Sequence, residues 1–519
     1  MALEIGRKAF EHEVRRAGVE GRQIPTVVIV GGGLSGLAAA IQLVRSGVRS
    51  FTIVEQSEGV GGTWRDNVYP GAACDVPSHL YSFSFAPKTD WTRRFAGQPE
   101  ILSYAEELVA RYHLTPHLRL GTSVTSARFD EVTRSWDLEL RSPDGAGHLN
   151  ADTVVFACGQ LNRPHVPDIE GLDSFAGPSW HSARWDHSVD LSGRHVAVIG
   201  TGASAIQFVP PVARTAASTT IFQRSPNYIG PKKDRPYRGG VRRALGRLGP
   251  LRTVYRWWIY WSLEMRWLWF RRDSWAGRKL QAMFAQGIRA EVVNERLPEG
   301  TVVPDYPIGC KRILISNDWY PTLLRPDVEV VDSPVTRVEP DAVVTADGVR
   351  HPVEVLIFGT GFATTDFLSH IPIEGSGGRS LAAAWADGAH AYLGSAVAGF
   401  PNCYLLYGPN TNLGHNSILF MVERQLNLVF QALAAQVRAS TGPATATVSV
   451  RSAAYERDDR VTQRLMAGTA WAGSCTSWYK DAAGRITNNW PSWTVRYWWD
   501  TLRIRPDDFE VSTRGPVDP

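Results

Sequence analysis

Two segments of this chain share one order: a short apolar run, a glycine-rich turn, and then a stretch rich in alanine and aliphatic residues. Residues 26–30 lead into Gly31-Gly32-Gly33-Leu34-Ser35-Gly36, and residues 195–199 lead into Gly200-Thr201-Gly202-Ala203-Ser204-Ala205. A strand that turns directly into a helix presents free backbone N–H groups and the positive end of the helix dipole, which together bind a pyrophosphate. The two segments therefore predict two dinucleotide-binding domains, each built on a doubly wound parallel sheet.

The first glycine turn is followed by another predicted strand, residues 50–54, which ends in Glu55. In such a unit Gly31 permits the tight turn, Gly33 lets the backbone approach the phosphates, and Gly36 lets the helix pack closely on the strand. Glu55 can accept hydrogen bonds from the ribose hydroxyls, and its charge would repel a 2′-phosphate. This site is therefore predicted to bind FAD or NAD, not NADP.

The second glycine turn is followed by a predicted strand, residues 219–223, that leads into Arg224-Ser225 instead of an acid. A guanidinium at this point can pair with a 2′-phosphate, which predicts NADPH as the cofactor. Ala205 stands where the first turn has its third glycine, at the cost of one methyl group in close packing. Two sites of opposite preference in one chain predict a flavin and a nicotinamide that work together.

The cysteines limit what this pair of cofactors can do. The chain has five, at positions 74, 158, 310, 403 and 475, and no two of them have a short paired spacing. A flavin disulfide reductase needs a redox-active cysteine pair, so an oxidase or an oxygenase is the favoured class. The same spacing predicts neither a disulfide framework nor a zinc or other metal site.

Composition excludes several other classes of protein. Lys and Arg total 55 against 51 Asp and Glu, a net charge of +4 that is small for 519 residues, so no nucleic-acid partner is expected. With 44% hydrophobic residues and a mean hydropathy of −0.18, the chain is typical of a globular protein without multiple membrane spans. The first 24 residues contain no apolar run like that of a signal peptide, which predicts a cytoplasmic protein.

Three further stretches carry more specific patterns. Residues 175–186 read Phe-Ala-Gly-Pro-Ser-Trp-His-Ser-Ala-Arg-Trp-Asp, residues 61–75 begin Gly-Gly-Thr-Trp and end at Asp75, and residues 358–362 read Phe-Gly-Thr-Gly-Phe. These stretches resemble three motifs of the type I Baeyer–Villiger monooxygenases. Residues 175–186 match the fingerprint Phe-x-Gly-x-x-x-His-x-x-x-Trp-Pro/Asp, and residues 61–75 match the stretch Gly-Gly-x-Trp…Tyr-Pro-Gly-x-x-x-Asp. Residues 358–362 are similar to the Ala/Gly-Thr-Gly linker of the same family. The resemblance extends from residue 31 to about residue 417, which is most of the chain.

The resemblance implies an α/β fold with two doubly wound Rossmann-like dinucleotide-binding domains, one for FAD and one for NADP, and a helical insertion in the NADP domain. The implied boundaries are residues 1–158 for the first FAD segment, 159–359 for the NADP domain with its insertion at about 230–310, and 360–519 for the second FAD segment. The crossings near residues 158–160 and 358–361 contain glycines that suit a hinge.

The resemblance also implies a reaction. An NADPH- and O2-dependent flavin monooxygenase inserts one oxygen atom beside a ketone carbonyl, through a flavin C4a-peroxide, to give an ester or lactone. By the same resemblance Arg312 is the active-site arginine, Asp75 holds it, and Lys311 reads the 2′-phosphate of NADPH. The chemistry needs such a pair, because the peroxide must remain an anion and a guanidinium is a permanently charged donor. Asp75 would orient the guanidinium and offset the cost of burying its charge.

The remaining site predictions concern His181, within the fingerprint, and a tryptophan near the C-terminus. His181 joins Arg312 and Asp75 in the predicted catalytic group, as a linker residue that governs domain movement or as a structural histidine, not as the chemical base. Trp471 or Trp478 is the candidate for the flexible loop tryptophan that closes over NADP in the family, with Trp471 preferred. The predicted cofactor contacts are Gly31, Gly33, Ser35, Gly36, Glu55, Thr63, Trp64, Asp75, Tyr81, Val124, Gly200, Thr201, Gly202, Ala203, Ser204, Arg224, Ser225, Lys311, Arg312 and Trp471.

Two alternatives to ketone oxidation stay open. One is oxygenation of a soft sulfur or nitrogen by the same flavin, and the other is a flavin redox sensor that does not turn over. The predicted partners are a small-molecule ketone and O2, bound by a monomer or a small homo-oligomer. The sequence identifies neither the ketone nor the preferred enantiomer.

The segment from Lys232 to Arg272 departs from the rest of the chain in charge and composition. It contains 12 Lys or Arg and only two acids, Asp234 and Glu264, and residues 254–270 within it are rich in tryptophan. At 17 residues with internal charges, residues 254–270 are too short and too charged to span a bilayer. We interpret them as a packed helical insertion, with an apolar substrate entrance or a weak contact with a membrane surface as the alternative.

Overall fold

The computed structural model describes residues 4–441, 445–475, 477–481 and 483–512. The helices are α1 (Ile5–Glu20), α2 (Leu34–Arg45), α3 (Thr63–Asp66), α4 (Gln98–Arg111), α5 (Ala205–Thr215), α6 (Gly239–Arg247), α7 (Gly249–Glu264), α8 (Trp275–Glu291), α9 (Glu299–Val302), α10 (Trp319–Leu323), α11 (Leu381–Ala384), α12 (Ile418–Ala439), α13 (Ser452–Met466) and α14 (Thr494–Asp500). The strands are β1 (Val27–Val30), β2 (Phe51–Val54), β3 (Leu118–Arg119), β4 (Ser123–Asp130), β5 (Ser135–Ser142), β6 (Gly145–Ala151), β7 (Thr153–Phe156), β8 (Ser179–His181), β9 (His195–Ile199), β10 (Ser218–Phe222), β11 (Ile229–Gly230), β12 (Leu314–Ile315), β13 (Val328–Val331), β14 (Val335–Glu339), β15 (Ala342–Thr345), β16 (Arg350–Pro352), β17 (Val355–Phe358), β18 (Ile373–Glu374), β19 (Cys403–Leu405), β20 (Thr447–Val450) and β21 (Phe509–Ser512).

The first large sheet is parallel throughout and has the strand order β19-β7-β1-β2-β3. Its central strand β1 reads Val-Val-Ile-Val and is buried along its whole length, as expected for a parallel strand covered on both faces. Strand β19 comes from the far end of the chain and pairs with β7. The first domain is therefore completed by chain segments that lie on both sides of the second domain in the sequence.

The second large sheet is also parallel throughout, with the order β13-β10-β9-β17-β8. All of its strands lie between residues 179 and 358. Helices α6 to α9 leave this domain after β11 and return at β12, which pairs with β11. The two parallel sheets and this helical excursion confirm the predicted fold class. Smaller sheets have the orders β18-β4-β5-β6, β14-β15-β16 and β20-β21.

The two glycine turns have the same backbone geometry. Gly31 and Gly200 adopt positive φ values of +112° and +103°, which residues other than glycine rarely adopt. Each turn also packs on a strand end, since an added Cβ would lie 2.7 Å from Ala157 O in the first turn and 2.5 Å from Gly359 O in the second. Gly359 in turn leaves room for the methyl group of Ala205, which would lie 3.1 Å from a Cβ at Gly359. Ala205 therefore fits without a third glycine.

Helix α12 forms the centre of the first domain and packs closely against α1. Gly6 permits this approach, because an added Cβ there would lie 2.1 Å from Asn427 O, and Phe10 meets Phe430 edge to face at a centroid distance of 5.4 Å. Within the described ranges, α12 is the one helix long and apolar enough to cross a membrane, but 78% of its apolar window is buried in the protein. Such burial is typical of a core helix.

The structure corrects one expectation about the cysteines. Cys310 and Cys475, 165 positions apart in the sequence, are joined by a disulfide, with their Cα atoms 6.3 Å apart. Cys74, Cys158 and Cys403 are free. The prediction of no disulfide was wrong because spacing reveals only partners that are close in sequence. Here folding brings the C-terminal loop against the segment that precedes Lys311.

Candidate active site

Arg312 and Asp75 form an ion pair at the meeting point of several loops. Asp75 Oδ2 accepts hydrogen bonds from Nε and Nη2 of Arg312 at 3.0 and 2.5 Å. The third nitrogen, Nη1, donates to Leu413 O at a longer distance of 3.4 Å. The two side chains are recessed but reachable, with accessible fractions of 25% for Arg312 and 32% for Asp75. The structure thus brings together the pair that the sequence analysis named.

Electrostatics keeps both members of this pair charged. Burial by itself would raise the pKa of Asp75, but the charge and hydrogen bonds of Arg312 outweigh burial and hold that pKa below its ordinary value. The Asp75 carboxylate raises the pKa of Arg312 further above its ordinary value, against the opposing effect of burial. Arg312 is therefore a permanent cation at any pH at which the protein is folded.

Two tyrosines that the sequence analysis did not single out lie beside the pair. Burial raises the pKa of both Tyr407 and Tyr479, and the nearby charge of Arg312 acts in the opposite direction on each. The Tyr407 hydroxyl donates to Asn412 Oδ1 at 2.8 Å. The Tyr479 side chain is fully buried, and its hydroxyl has no hydrogen-bond partner within the described ranges. No local pattern marks either residue, because only folding brings them to Arg312.

Trp471 lies in a packed aromatic cluster, not on a mobile surface loop. Its side chain is fully buried, and its ring centroid lies 5.7 Å from Trp267, 5.5 Å from Phe270 and 6.1 Å from Tyr479. Trp471 could swing over a cofactor only by unpacking these neighbours, so the packing does not support the flexible-loop role, which stays a prediction. A contact between Trp471 and NADP stays a prediction. The alternative, Trp478, is half-buried and lies 4.2 Å from the Tyr479 ring.

Arg224, Ser225 and Lys311 lie together just beyond the end of strand β10. Lys311 Nζ donates to Ser225 Oγ at 2.5 Å and lies 4.4 Å from the centroid of the Tyr306 ring. Burial lowers the pKa of Lys311, and the charge of Arg224 lowers it further, while the opposing influence of Asp305 is weaker. Two neighbouring cations repel each other, and a dianionic phosphate between them would relieve that repulsion. This cluster suits the 2′-phosphate of NADPH.

Glu55 is fixed beside the first glycine turn. It is buried, and its carboxylate accepts hydrogen bonds from the Gly32 N–H at 2.6 Å and the Ser57 N–H at 2.8 Å. Each carboxylate oxygen can accept more than one hydrogen bond, so ribose hydroxyls can still be bound. The position agrees with the role predicted for Glu55, which stays a prediction.

The other predicted contacts of the first site lie on separate elements. Thr63 and Trp64 begin α3, directly after Gly62, and the Trp64 indole N–H donates to the Tyr81 hydroxyl at 3.0 Å. An added Cβ at Gly62 would lie 3.1 Å from Gly33 Cα, so this segment borders the glycine turn. Val124 differs from the rest, because its side chain is packed in the hydrophobic core. Any contact between Val124 and a nucleotide would have to come from its backbone.

His181 ends strand β8 at the crossing between the two domains. It lies opposite Phe358 in the parallel pairing of β8 with β17. Its Nδ1 accepts a hydrogen bond from the Ala183 N–H at 3.1 Å, and its Nε2 is buried without a partner among the described residues. Burial lowers the pKa of His181 to about 4, so the imidazole is neutral near pH 7. This position suits a linker residue and is not one for a charged catalyst.

The glycine turns have the shape that a bound dinucleotide requires. An added Cβ at Gly33 or Gly202 would meet no atom closer than 3.7 Å or 3.8 Å, so the packing of the protein itself does not demand glycine at either position. Both face the N-terminus of a helix, where free N–H groups bind phosphates. FAD at the first turn and NADP at the second therefore fit the residues present, and nothing else in the described structure explains these two glycines.

The chain is similar to proteins of known family over nearly its whole length. It is 41% identical over 493 residues to a Baeyer–Villiger monooxygenase of Streptomyces coelicolor, which covers 95% of this chain and 93% of that protein. It is 40% identical over 474 residues to a Baeyer–Villiger monooxygenase of Pseudomonas aeruginosa, which covers 91% of this chain and 88% of that protein. The chain belongs to the Baeyer–Villiger monooxygenase family.

Membership of this family confirms the resemblance inferred from the motifs and the predicted class of reaction. The fold is similar to the crystal structure of OTEMO in complex with FAD and NADP, with a TM-score of 0.84, 27% identity and coverage of 94% of this chain and 99% of that one. A family model described as pyridine nucleotide-disulphide oxidoreductase matches residues 25–249. That range contains both glycine turns but ends before Cys310, so the match reflects the dinucleotide domains and not the disulfide.

Proposed function

We propose that this chain is an NADPH-dependent FAD monooxygenase that uses O2 to insert one oxygen atom beside a ketone carbonyl, with Arg312 and Asp75 as its catalytic pair. The recessed ion pair, in which Nη1 of Arg312 is only loosely bound, carries the proposal. When bound, FAD reduced by NADPH supplies the activated oxygen atom. We expect a cytoplasmic enzyme that gives an ester or lactone.

Arg312 stabilises negative charge in this scheme. Its Nη1 can donate a hydrogen bond to an oxygen that becomes negative, whether on the attacking oxygen or on the ketone carbonyl. A guanidinium does not lose its proton, so the donor stays charged whatever bases form nearby. In a recessed site the attraction is stronger than in water, because fewer water molecules screen it.

Asp75 positions Arg312 and compensates its charge. Because Nε and Nη2 donate to the same carboxylate oxygen, one edge of the guanidinium is fixed, and Nη1 lies on the side away from Asp75. The pair keeps the cation stable in a half-buried site. Replacing Asp75 with asparagine would retain the shape of this contact but leave the charge of Arg312 uncompensated.

The test replaces Arg312 with alanine in the FAD-loaded enzyme. We expect NADPH to reduce the flavin at the normal rate, while ester formation falls by about 10²–10³-fold and the electrons go to hydrogen peroxide. Stopped-flow absorbance measures reduction, and mass spectrometry measures products over a panel from cyclohexanone through aryl ketones to steroids, with a thioether included. The control Arg337→Ala removes an exposed arginine paired with Glu339, and it should change neither step.

Each other outcome has a distinct meaning. A normal ester yield in the Arg312→Ala enzyme would contradict the role of Arg312. Oxygen transfer by the wild-type enzyme to sulfur alone would indicate S-oxygenation in place of ketone oxidation. A purified protein that lacks yellow colour, or that oxidises no NADPH with any ketone, would support a flavin sensor or binding protein.

A further inference from the structure

Helix α7 of the insertion has an apolar face that points to solvent. The residues of this face recur at intervals of three and four positions and are between 42% and 66% exposed. We call them the α7 stripe: Leu251, Val254, Trp258 and Trp261 on the helix, and Met265 directly after it. The opposite face of the helix, with Ile259 and Leu263, is buried against the first domain. A continuous apolar stripe of this length is uncommon on a surface that meets only water.

The charge around the α7 stripe has a single sign. The segment from Lys232 to Arg272 has 12 basic residues and two acids. The fold removes both acids from the surface, since Glu264 is fully buried and Asp234 is paired with Arg93 at 2.7 Å. Helix α6, immediately before the stripe, exposes Arg242, Arg243 and Arg247. Exposed apolar and exposed basic side chains therefore occur together on this part of the insertion.

Helix α14 from the C-terminal part of the chain is held beside the end of the stripe. Glu264 accepts hydrogen bonds from the N–H and the hydroxyl of Thr494 at 2.6 and 2.7 Å, which fixes the start of α14. Trp499 on α14 is 70% exposed. Another exposed indole thus belongs to a helix that docks on α7.

The stripe also leads towards the Arg312 site. Phe270, five residues beyond Met265, is buried between two loops of that site. An added Cβ would lie 3.1 Å from the Phe270 ring at Gly309 and 2.9 Å from it at Gly414. These glycines are close neighbours in the sequence of Arg312 and of Leu413, the carbonyl that Arg312 contacts. One continuous segment therefore connects the exposed stripe to the wall of the site.

We propose that the α7 stripe docks this protein on the surface of an anionic lipid bilayer. Indole and aliphatic side chains enter the headgroup region, where tryptophan is favoured, and the neighbouring arginines pair with the lipid phosphates. A nucleic acid would satisfy the arginines but would bury none of the aliphatic side chains. The helix lies in the plane of the interface and does not cross it.

Docking would let a ketone that dissolves in the bilayer reach the Arg312 site from the lipid side. This consequence rests on the proposed function, because it requires a ketone substrate. The docking itself does not depend on the reaction. Vesicle binding and turnover can therefore be measured separately, and failure of one does not imply failure of the other.

The test sediments the FAD-loaded protein with vesicles of phosphatidylcholine alone and with vesicles that also contain phosphatidylglycerol. We expect pelleting with the anionic vesicles only, reduced at high salt because salt screens the arginines. The Trp258→Ser/Trp261→Ser variant should bind about tenfold more weakly or worse. The matched control, Val19→Ser/Val132→Ser, removes two exposed apolar side chains from the first domain and should bind like the wild type. The flavin spectrum and melting temperature establish that each variant is folded.

Three outcomes would overturn the proposal. The wild-type protein could fail to pellet with anionic vesicles. The double tryptophan variant could pellet as well as the wild type, which would mean that other basic surfaces bind the lipid. Sedimentation velocity could show that the wild type is a dimer and the tryptophan variant a monomer, with no vesicle binding by either. The stripe would then be an interface between two copies of this chain.

Discussion

The charged side chains of the site differ in how the protein compensates them. Arg312 is paired with Asp75, which fixes its orientation and balances its charge. Lys311 instead has a cation, Arg224, as its stronger electrostatic neighbour, and only the weaker influence of Asp305 opposes it. A compensated pair resists displacement, whereas two neighbouring cations favour binding of an anion. We therefore expect Arg312 to govern turnover and the Lys311–Arg224 cluster to govern the choice of cofactor.

Alanine at Lys311 or at Arg224 should weaken binding of NADPH selectively. A charge-assisted hydrogen bond to phosphate contributes roughly 1.5–3 kcal/mol, so we expect KM for NADPH to rise about 10- to 100-fold. KM for NADH should hardly change, because NADH has no 2′-phosphate. Steady-state kinetics with both cofactors measures the effect. The control Arg194→Ala removes an arginine paired with Glu354 at the opposite end of β9, and it should leave both KM values unchanged. Equal losses with NADPH and NADH in the Lys311 or Arg224 variant would contradict a role in binding the 2′-phosphate.

His181 should make the stability of the protein depend on pH. Above pH 6.5 the imidazole is neutral in both the folded and the unfolded chain. Because burial lowers the pKa of His181 to about 4, only the unfolded chain binds the proton between pH 6.5 and about 4. Stability that is present at neutral pH is therefore lost as the pH falls through this range, by on the order of 2 kcal/mol from this residue.

Thermal unfolding across that pH range tests the prediction. The His181→Gln variant should show a shallower fall of the melting temperature towards low pH than the wild type. The control His148→Gln replaces an exposed histidine near Asp137, and it should keep the slope of the wild type. An unchanged slope in the His181→Gln variant would mean that another group, such as the buried His79, accounts for the pH dependence.

At the scale of elements, one buried carboxylate is a central point of contact between the insertion and the first domain. Glu264, at the end of α7, accepts hydrogen bonds from Thr494 and from Asn416 Nδ2, the latter at 2.8 Å. It thereby caps α14 and holds the loop that carries Leu413 to Arg312. Burial alone would raise the pKa of Glu264, but hydrogen bonds and the neighbouring His415 outweigh burial and lower it. The carboxylate is therefore charged at neutral pH.

The Glu264→Gln variant should loosen this junction. A neutral amide cannot accept all of the hydrogen bonds that the carboxylate accepts, so we expect a loss of about 2–3 kcal/mol in unfolding free energy. Hydrogen exchange should increase in α14 and in the loop around Asn416, and ester yield per NADPH should fall because Arg312 is held less firmly. The control Glu299→Gln, at an exposed pair with Arg289, should change none of these. Unaltered exchange in α14 would count against a capping role for Glu264.

At the scale of the whole molecule, the Arg312 site is assembled from segments that are far apart in the chain. Asp75 comes from the first part of the first domain, and Arg312 follows the helical insertion of the second domain. Leu413 and Tyr479 come from the part of the chain that returns to the first domain. The Cys310–Cys475 disulfide ties two of these segments together, directly beside Lys311.

The disulfide predicts a defined count of free thiols. After denaturation without reductant, alkylation should modify three of the five cysteines, and after reduction it should modify all five. Reduction of the folded protein should lower its stability by roughly 2–4 kcal/mol, because the cross-link limits the unfolded chain. The Cys475→Ser variant should melt at one temperature with and without reductant. Five free thiols in the unreduced wild-type protein would show that the bond is absent in solution.

The sequence by itself determined the parts of this protein that depend on neighbouring residues. Each glycine turn with its strand and helix is complete within about 30 residues, so its pattern predicts the turn, the packing at Gly31 and Gly200, and the acid or arginine that follows. The family motifs likewise lie within short stretches. The resemblance based on these motifs predicted that Asp75 and Arg312 are partners. In the structure the two side chains are in contact.

The tertiary structure alone decided what depends on residues distant in the chain. Neither spacing nor composition could place Tyr407 and Tyr479 beside Arg312, join Cys310 to Cys475, or bury Trp471 in an aromatic cluster. The α7 stripe was visible as a tryptophan-rich run, but which face of the helix meets solvent depends on what packs against the other face. Such contacts join residues that are far apart in the chain, so no local sequence pattern predicts them.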